Sequence, residues 1–112
     1  MKVFVYGSLK KGFGNHTLLK DAEFVCSEML TGYSMSDLGF FPMAYPDPDG
    51  CIFGEIYYIT PEILEDLDNL EGEGVFYKRI VESGEREEFF FVYVGIQVDR
   101  LRKDEINFWK KG

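Results

Sequence analysis

Residues 51–72, CIFGEIYYITPEILEDLDNLEG, contain the change of periodicity that most constrains the fold. CIFGEIYYI, residues 51–59, is rich in β-branched and aromatic side chains and reads as a strand. The clearest helix start in the chain follows at once. Thr60 is the N-cap, Pro61 takes the first helical position and Glu62 sits in the first turn. Ile63, Leu64, Leu67 and Leu70 recur at helical spacing and define one buried face. Gly72 fits the position just past the helix end.

Strands surround this helix. KVFVY, residues 2–6, reads as a strand buried on both faces. VFYKRIVE, residues 75–82, and EFFFVYVG, residues 88–95, read as a hairpin around Ser83-Gly84. Residues 23–35 carry short apolar runs broken at Thr31-Gly32, and give one bent strand or two. Residues 36–50 hold Pro42, Pro46, Pro48, Asp47 and Asp49, so turn chemistry dominates there, with a short strand at Met43–Tyr45. Asn15 can cap a short helix, 16–20. The tail from Asp99 alternates charge with Leu101, Ile106, Phe108 and Trp109, and docks as a last helix or strand. Strands outnumber helices, so the fold class is α+β: a curled mixed sheet or small barrel with one main helix.

The chain has 112 residues, which fits one domain, 1–112. With 46 % hydrophobic and 17 % aromatic residues it can fill a strand-rich core, which argues against disorder. The net charge of -8 repels phosphate backbones and anionic membranes, so neither nucleic acid nor a membrane surface is expected as a partner. Cys26 and Cys51 form no C-x-x-C and read as buried thiols of a cytoplasmic protein, with a single disulfide left open. No signal peptide or membrane span is read from the sequence. His16 is the sole histidine, which rules out a multi-histidine metal site, and a surface role at a helix start is expected for it.

Two stretches are candidates for chemistry. The first is VFVYGSLKKGFGN, residues 3–15. Gly7 and Gly12 have the spacing of a phosphate loop. Phe13-Gly14 stands where the lysine and hydroxyl should be, so that reading fails. A plain turn remains, with Gly12 and Gly14 supplying positive φ. The functional reading rests on Gly7 at a strand end, where ligand can approach the main chain and the N–H groups of Ser8 and Leu9 form an anion nest.

The second stretch is LEDLDNLEGEGVFYKR, residues 64–79. Asp66, Asp68, Glu71 and Glu73 crowd the negative end of the helix dipole. Like charges there oppose ionisation and raise a carboxylate pKa, which suits a group that both accepts and donates a proton. The plain reading is a solvated acidic face. Tyr77 and Arg79 share one strand face and, if inward, offer a phenol and a guanidinium to an anion. Glu55 shares a face with Phe53 and Tyr57, and is either inward and paired or exposed. No Cys-His pair or G-x-S-x-G elbow points to a nucleophilic hydrolase.

Taken together, these pieces resemble the γ-glutamylcyclotransferase-like (AIG2-like) family. The resemblance is carried by Val5-Tyr6-Gly7-Ser8-Leu9 with Lys10, Gly12 and Asn15 behind it. Gly54-Glu55-Ile56-Tyr57, Leu67-Asp68-x-x-Glu71 with Tyr77-x-Arg79, and Val92-Tyr93-Val94 follow in order. It covers roughly residues 3–95, and the short length looks most like the branch that includes γ-glutamylamine cyclotransferases. It implies a small β-barrel with flanking helices and no cofactor. The implied reaction is intramolecular cyclisation of a small γ-glutamyl substrate to 5-oxoproline with release of an amine, by a cytoplasmic monomer. It maps the catalytic glutamate to Glu71, with Glu73 two positions away. The substrate would be bound by Tyr6, Gly7, Ser8, Leu9, Tyr77, Arg79 and Tyr93. The competing expectation is a non-catalytic binding module on the same fold.

Overall fold

The helix begins where its sequence signals place it. In the computed structural model, which describes residues 1–7, 9–10, 12, 14–37, 42–72, 77–86, 88–96 and 104–106, α1 spans Pro61–Glu71. Thr60 Oγ1 accepts the N–H of Ile63 at 3.2 Å. Gly72 turns left-handed at φ 62° and donates back to Asn69 O. Ile63 and Leu67 are buried and Leu64 partly so, whereas Leu70 is exposed, so the buried face is narrower than its periodicity suggests.

Six strands form one mixed sheet among the described residues. They are β1 (Lys2–Val5), β2 (Glu23–Asp37), β3 (Pro42–Tyr58), β4 (Tyr77–Glu82), β5 (Phe90–Gly95) and β6 (Asp104–Ile106). The order is β4-β5-β1-β3-β2-β6, antiparallel except for β1 beside β5. The expected hairpin of β4 and β5 is present. The tail contributes a short strand, while Trp109 lies outside the described residues. A 3₁₀ helix, Gly14–Leu19, stands where a short helix capped by Asn15 was expected.

One open alternative is decided and one expectation changes. Residues 23–37 are one strand, and the break at Thr31-Gly32 is a register shift with Gly32 at φ 88°. Residues 42–50 belong to β3 rather than to a turn-dominated loop. Three prolines are tolerated there because β1 pairs only with Glu55–Tyr58, so the earlier part of β3 has β2 on one side alone. Turn chemistry survives locally. The register passes from Thr31↔Cys51 to Tyr33↔Pro46, leaving 47–50 without partners in the ladder. Asp47 accepts the N–H of Asp49 and the hydroxyl of Ser34 in that stretch.

Alternation along β1 fills two cores. Val3 and Val5 pack with Ile63, Leu67, Tyr57, Tyr77 and Tyr93 on the α1 side. Phe4 and Tyr6 pack with Ile52, Ile56, Phe90 and Val92 on the other side. The sheet curls around this second core but is not a closed barrel. Side chains, not a ladder, join β2 to the far end of the sheet among the described residues. Glu28 accepts the N–H groups of Glu85 and Arg86, both at 3.2 Å, and Tyr33 bonds Glu82. Gly84 lets the chain pass close to Glu28, since a Cβ there would lie 2.7 Å from its Cδ. Cys26 and Cys51 are not joined in a disulfide and are half-buried rather than buried.

Candidate active site

β1 delivers Tyr6 and Gly7 to the end of the sheet. The loop then folds back at once: Lys10 N–H donates to Gly7 O at 3.0 Å. Leu9 buries its side chain in the α1-side core, and Ser8 lies outside the described residues. Two contacts tie the loop to β3. Leu9 O lies 2.8 Å from His16 Nδ1, a bond that requires the proton on that nitrogen, and the His16 ring packs against Tyr57 at 5.6 Å. His16 is thus half-buried within the loop rather than on the surface. Lys10 is 3 % exposed, and burial lowers its pKa while Glu55 opposes the shift. Glu55 is half-buried and accepts the Tyr57 hydroxyl at 3.0 Å, so it is paired rather than exposed.

Gly7 is small for a reason. A Cβ at Gly7 would lie 2.8 Å from Cγ of Pro42, the first residue of β3. The same strand start is held by two phenols. Tyr77 donates to Pro42 O at 2.7 Å. Tyr6 donates to Tyr93 O at 2.5 Å and accepts from Ala44 N–H at 3.3 Å. Both phenols are therefore bonded to main chain. Burial first, then Tyr77 and Glu71, pushes the Tyr6 pKa well up; burial and Glu71 do the same for Tyr77.

Glu71 ends α1 within electrostatic reach of both phenols. Burial raises its pKa from the ordinary 4.5 to about 7. The direction matches the sequence expectation but the cause does not: loss of water, not crowding by like charges, lifts it. At neutral pH such a carboxyl is shared between its two forms and can take a proton or return one. Glu73, two residues on, lies outside the described residues.

Arg79 and Tyr93 meet on a different partner. Tyr93 Oη donates to Asp68 Oδ1 at 2.6 Å, and Arg79 Nη1 bonds Asp68 Oδ2. The guanidinium also lies over the Phe91 ring, 5.0 Å from its centre. The structure thus gathers Tyr6, Gly7, Glu71 and Tyr77 at one end of the sheet, with Arg79 and the Tyr93 hydroxyl one helical turn back along α1. Sequence reasoning missed Pro42 and the part played by Asp68. Pro42 read as turn chemistry, and Asp68 read as one acid among four. No group of three or more potential metal ligands occurs among the described residues.

A mixed curled sheet with one helix, which ends in the half-buried Glu71 within electrostatic reach of two phenols, defines a small α+β protein. The profile of the family described as "Gamma-glutamyl cyclotransferase, AIG2-like" matches residues 3–111. The chain belongs to that family. It is 32 % identical over 110 residues to the γ-glutamylcyclotransferase family protein YtfP of Escherichia coli, covering 97 % of this chain and 96 % of that one. It is 36 % identical over 87 residues to γ-glutamylaminecyclotransferase B of Danio rerio, covering 69 % of this chain and 46 % of that one. The fold is similar to the crystal structure of Pyrococcus horikoshii PH0828, with TM-score 0.82, 25 % identity, and 96 % and 86 % of the two chains covered. It is also similar to the mouse AIG2-like protein, with TM-score 0.72, 27 % identity, and 83 % and 75 % covered.

Proposed function

We propose that this protein is a γ-glutamyl cyclotransferase. It converts a γ-glutamyl amine or γ-glutamyl amino acid to 5-oxoproline and releases the amine. The observation that carries the reading is Glu71: a carboxyl with a pKa raised to about 7 by burial, within electrostatic reach of the phenols of Tyr6 and Tyr77.

Glu71 takes a proton from the substrate's α-ammonium. The freed amine attacks the γ-carbonyl carbon and closes a five-membered ring. The γ C–N bond then breaks, the leaving nitrogen receives the proton held by Glu71, and the second proton of the ring nitrogen passes through Glu71 to the released amine. Nucleophile and electrophile belong to one molecule, so the site mainly fixes a folded conformer. The tetrahedral oxyanion is assigned to the N–H groups of Ser8 and Leu9, since that of Lys10 is already bonded to Gly7 O. Tyr6 and Tyr77 wall the site and hold Pro42 and Ala44 in place.

Incubation with a panel of γ-glutamyl amines and γ-glutamyl amino acids tests this reading. Release of 5-oxoproline from at least one of them is expected, and Glu71→Gln should lower kcat by about 10²–10⁴. No turnover of any member, or a fully active Glu71→Gln protein, overturns it.

A further inference from the structure

Resting on that reading, we propose that Asp68 is a positioning residue for Glu71. It fastens the last turn of α1 to β4 and β5 through Arg79 and Tyr93. Asp68 and Glu71 are three residues apart, so they neighbour each other on the helix surface. α1 ends without a basic residue in its last turn, and its capping glycine makes only main-chain bonds. Leu67 packs that end, while Asp68 supplies the directional hold: Tyr93 Oη on Oδ1 at 2.6 Å and Arg79 Nη1 on Oδ2. These come from two adjacent strands, where Arg79 pairs directly with Tyr93, so the carboxylate grips both at once.

Tyr93 extends the hold further. Its carbonyl accepts the proton of Tyr6, the phenol that also receives Ala44 N–H. One residue therefore joins the helix end to both the Gly7 loop and the start of β3. Among the described residues, the groups facing Glu71 are the phenols of Tyr6 from the end of β1 and Tyr77 from β4; on its own helix the neighbouring charge is Asp68, matched by Arg79. In this arrangement Arg79 acts through Asp68 to hold the helix end against β4 and β5.

Loosening the clasp lets water reach that carboxyl. Asp68→Ala should lower kcat about 10- to 100-fold, as a displacement of an ångström does, with KM changing much less. Asp68→Asn, which still accepts from Tyr93, should fall between, and Arg79→Lys should retain more activity than Arg79→Ala. The Glu71 carboxyl is followed by carbon-13 NMR titration in the same variants. It should titrate lower in Asp68→Ala by about one pH unit or more, as regained solvation requires. Unchanged titration of Glu71 in both Asp68 variants, or a rise in KM with kcat intact, overturns the inference. An active Glu71→Gln protein overturns the cyclotransferase reading instead, and the titration still decides the role of Asp68.

Discussion

Replacing Glu71 by glutamine should stabilise the protein at and above neutral pH and leave it nearly unchanged below about pH 4.5. Folding raises the Glu71 pKa from 4.5 to about 7 by burial. A carboxyl with a raised folded-state pKa favours the folded state in its protonated form. That contribution is complete below the unfolded value, near 4.5, and is lost as the pH rises through about 7. At about 1.36 kcal/mol per pH unit, the loss amounts to roughly 3 kcal/mol. Glutamine fills the same space and never ionises, so its protein escapes the loss. For a domain of this size, that difference moves Tm by about 10 °C. Thermal melts followed by circular dichroism, run on both proteins from about pH 5 to about pH 8.5, measure it. The stability gap should be small at the acid end, widen up to about pH 7 and level off above it. A gap that stays constant with pH would refute the reasoning, because Glu71 would then not be titrating in a dry setting.

Other perturbations test the packing. In Gly54→Ala the new Cβ meets the Val5 carbonyl oxygen and comes 2.7 Å from the Phe4 ring. Backbone cannot yield there, so urea unfolding should show a loss of about 1–3 kcal/mol. Tyr6→Phe leaves Tyr93 O and Ala44 N–H short of their partner, and should cost about 1–3 kcal/mol in the same assay. Thr60→Ala removes the acceptor for Ile63 N–H at the far end of α1. It should cost about 1 kcal/mol while kcat stays at the wild-type value, which separates general loss of stability from loss at the Glu71 end.

The parts of the fold that were legible in the sequence are those decided by neighbours along the chain. Thr60, Pro61 and Gly72 mark α1 because capping involves residues only three or four apart. The two buried faces of β1 follow from its unbroken apolar run. Less legible were features set by distant partners. Pro42–Gly50 reads as turn apart from Met43–Tyr45, yet it belongs to a strand because β2 pairs with it, and its prolines are tolerated because β1 does not reach its other edge. Leu70 fits the helical period but faces water because Leu67 and Ile63 already meet the sheet. At the site, the family resemblance points to Glu71 and Tyr6-Gly7, where the residues alone leave four acids and a plain turn open. Pro42 lies 35 residues from the Tyr77 whose hydroxyl it accepts, and Asp68 lies 25 residues from the Tyr93 hydroxyl. No local pattern announces either pairing, and the glycine at position 7 makes sense only beside the Pro42 ring.

The pH dependence of 5-oxoproline formation tests the central claim most directly. The account predicts that kcat/KM for a turned-over γ-glutamyl substrate rises with pH through an inflection near 7, where Glu71 becomes the base, and then levels off. The Glu71→Gln protein should show only residual turnover without that inflection. A wild-type profile flat across neutrality, or the same inflection at undiminished rate in Glu71→Gln, would contradict it.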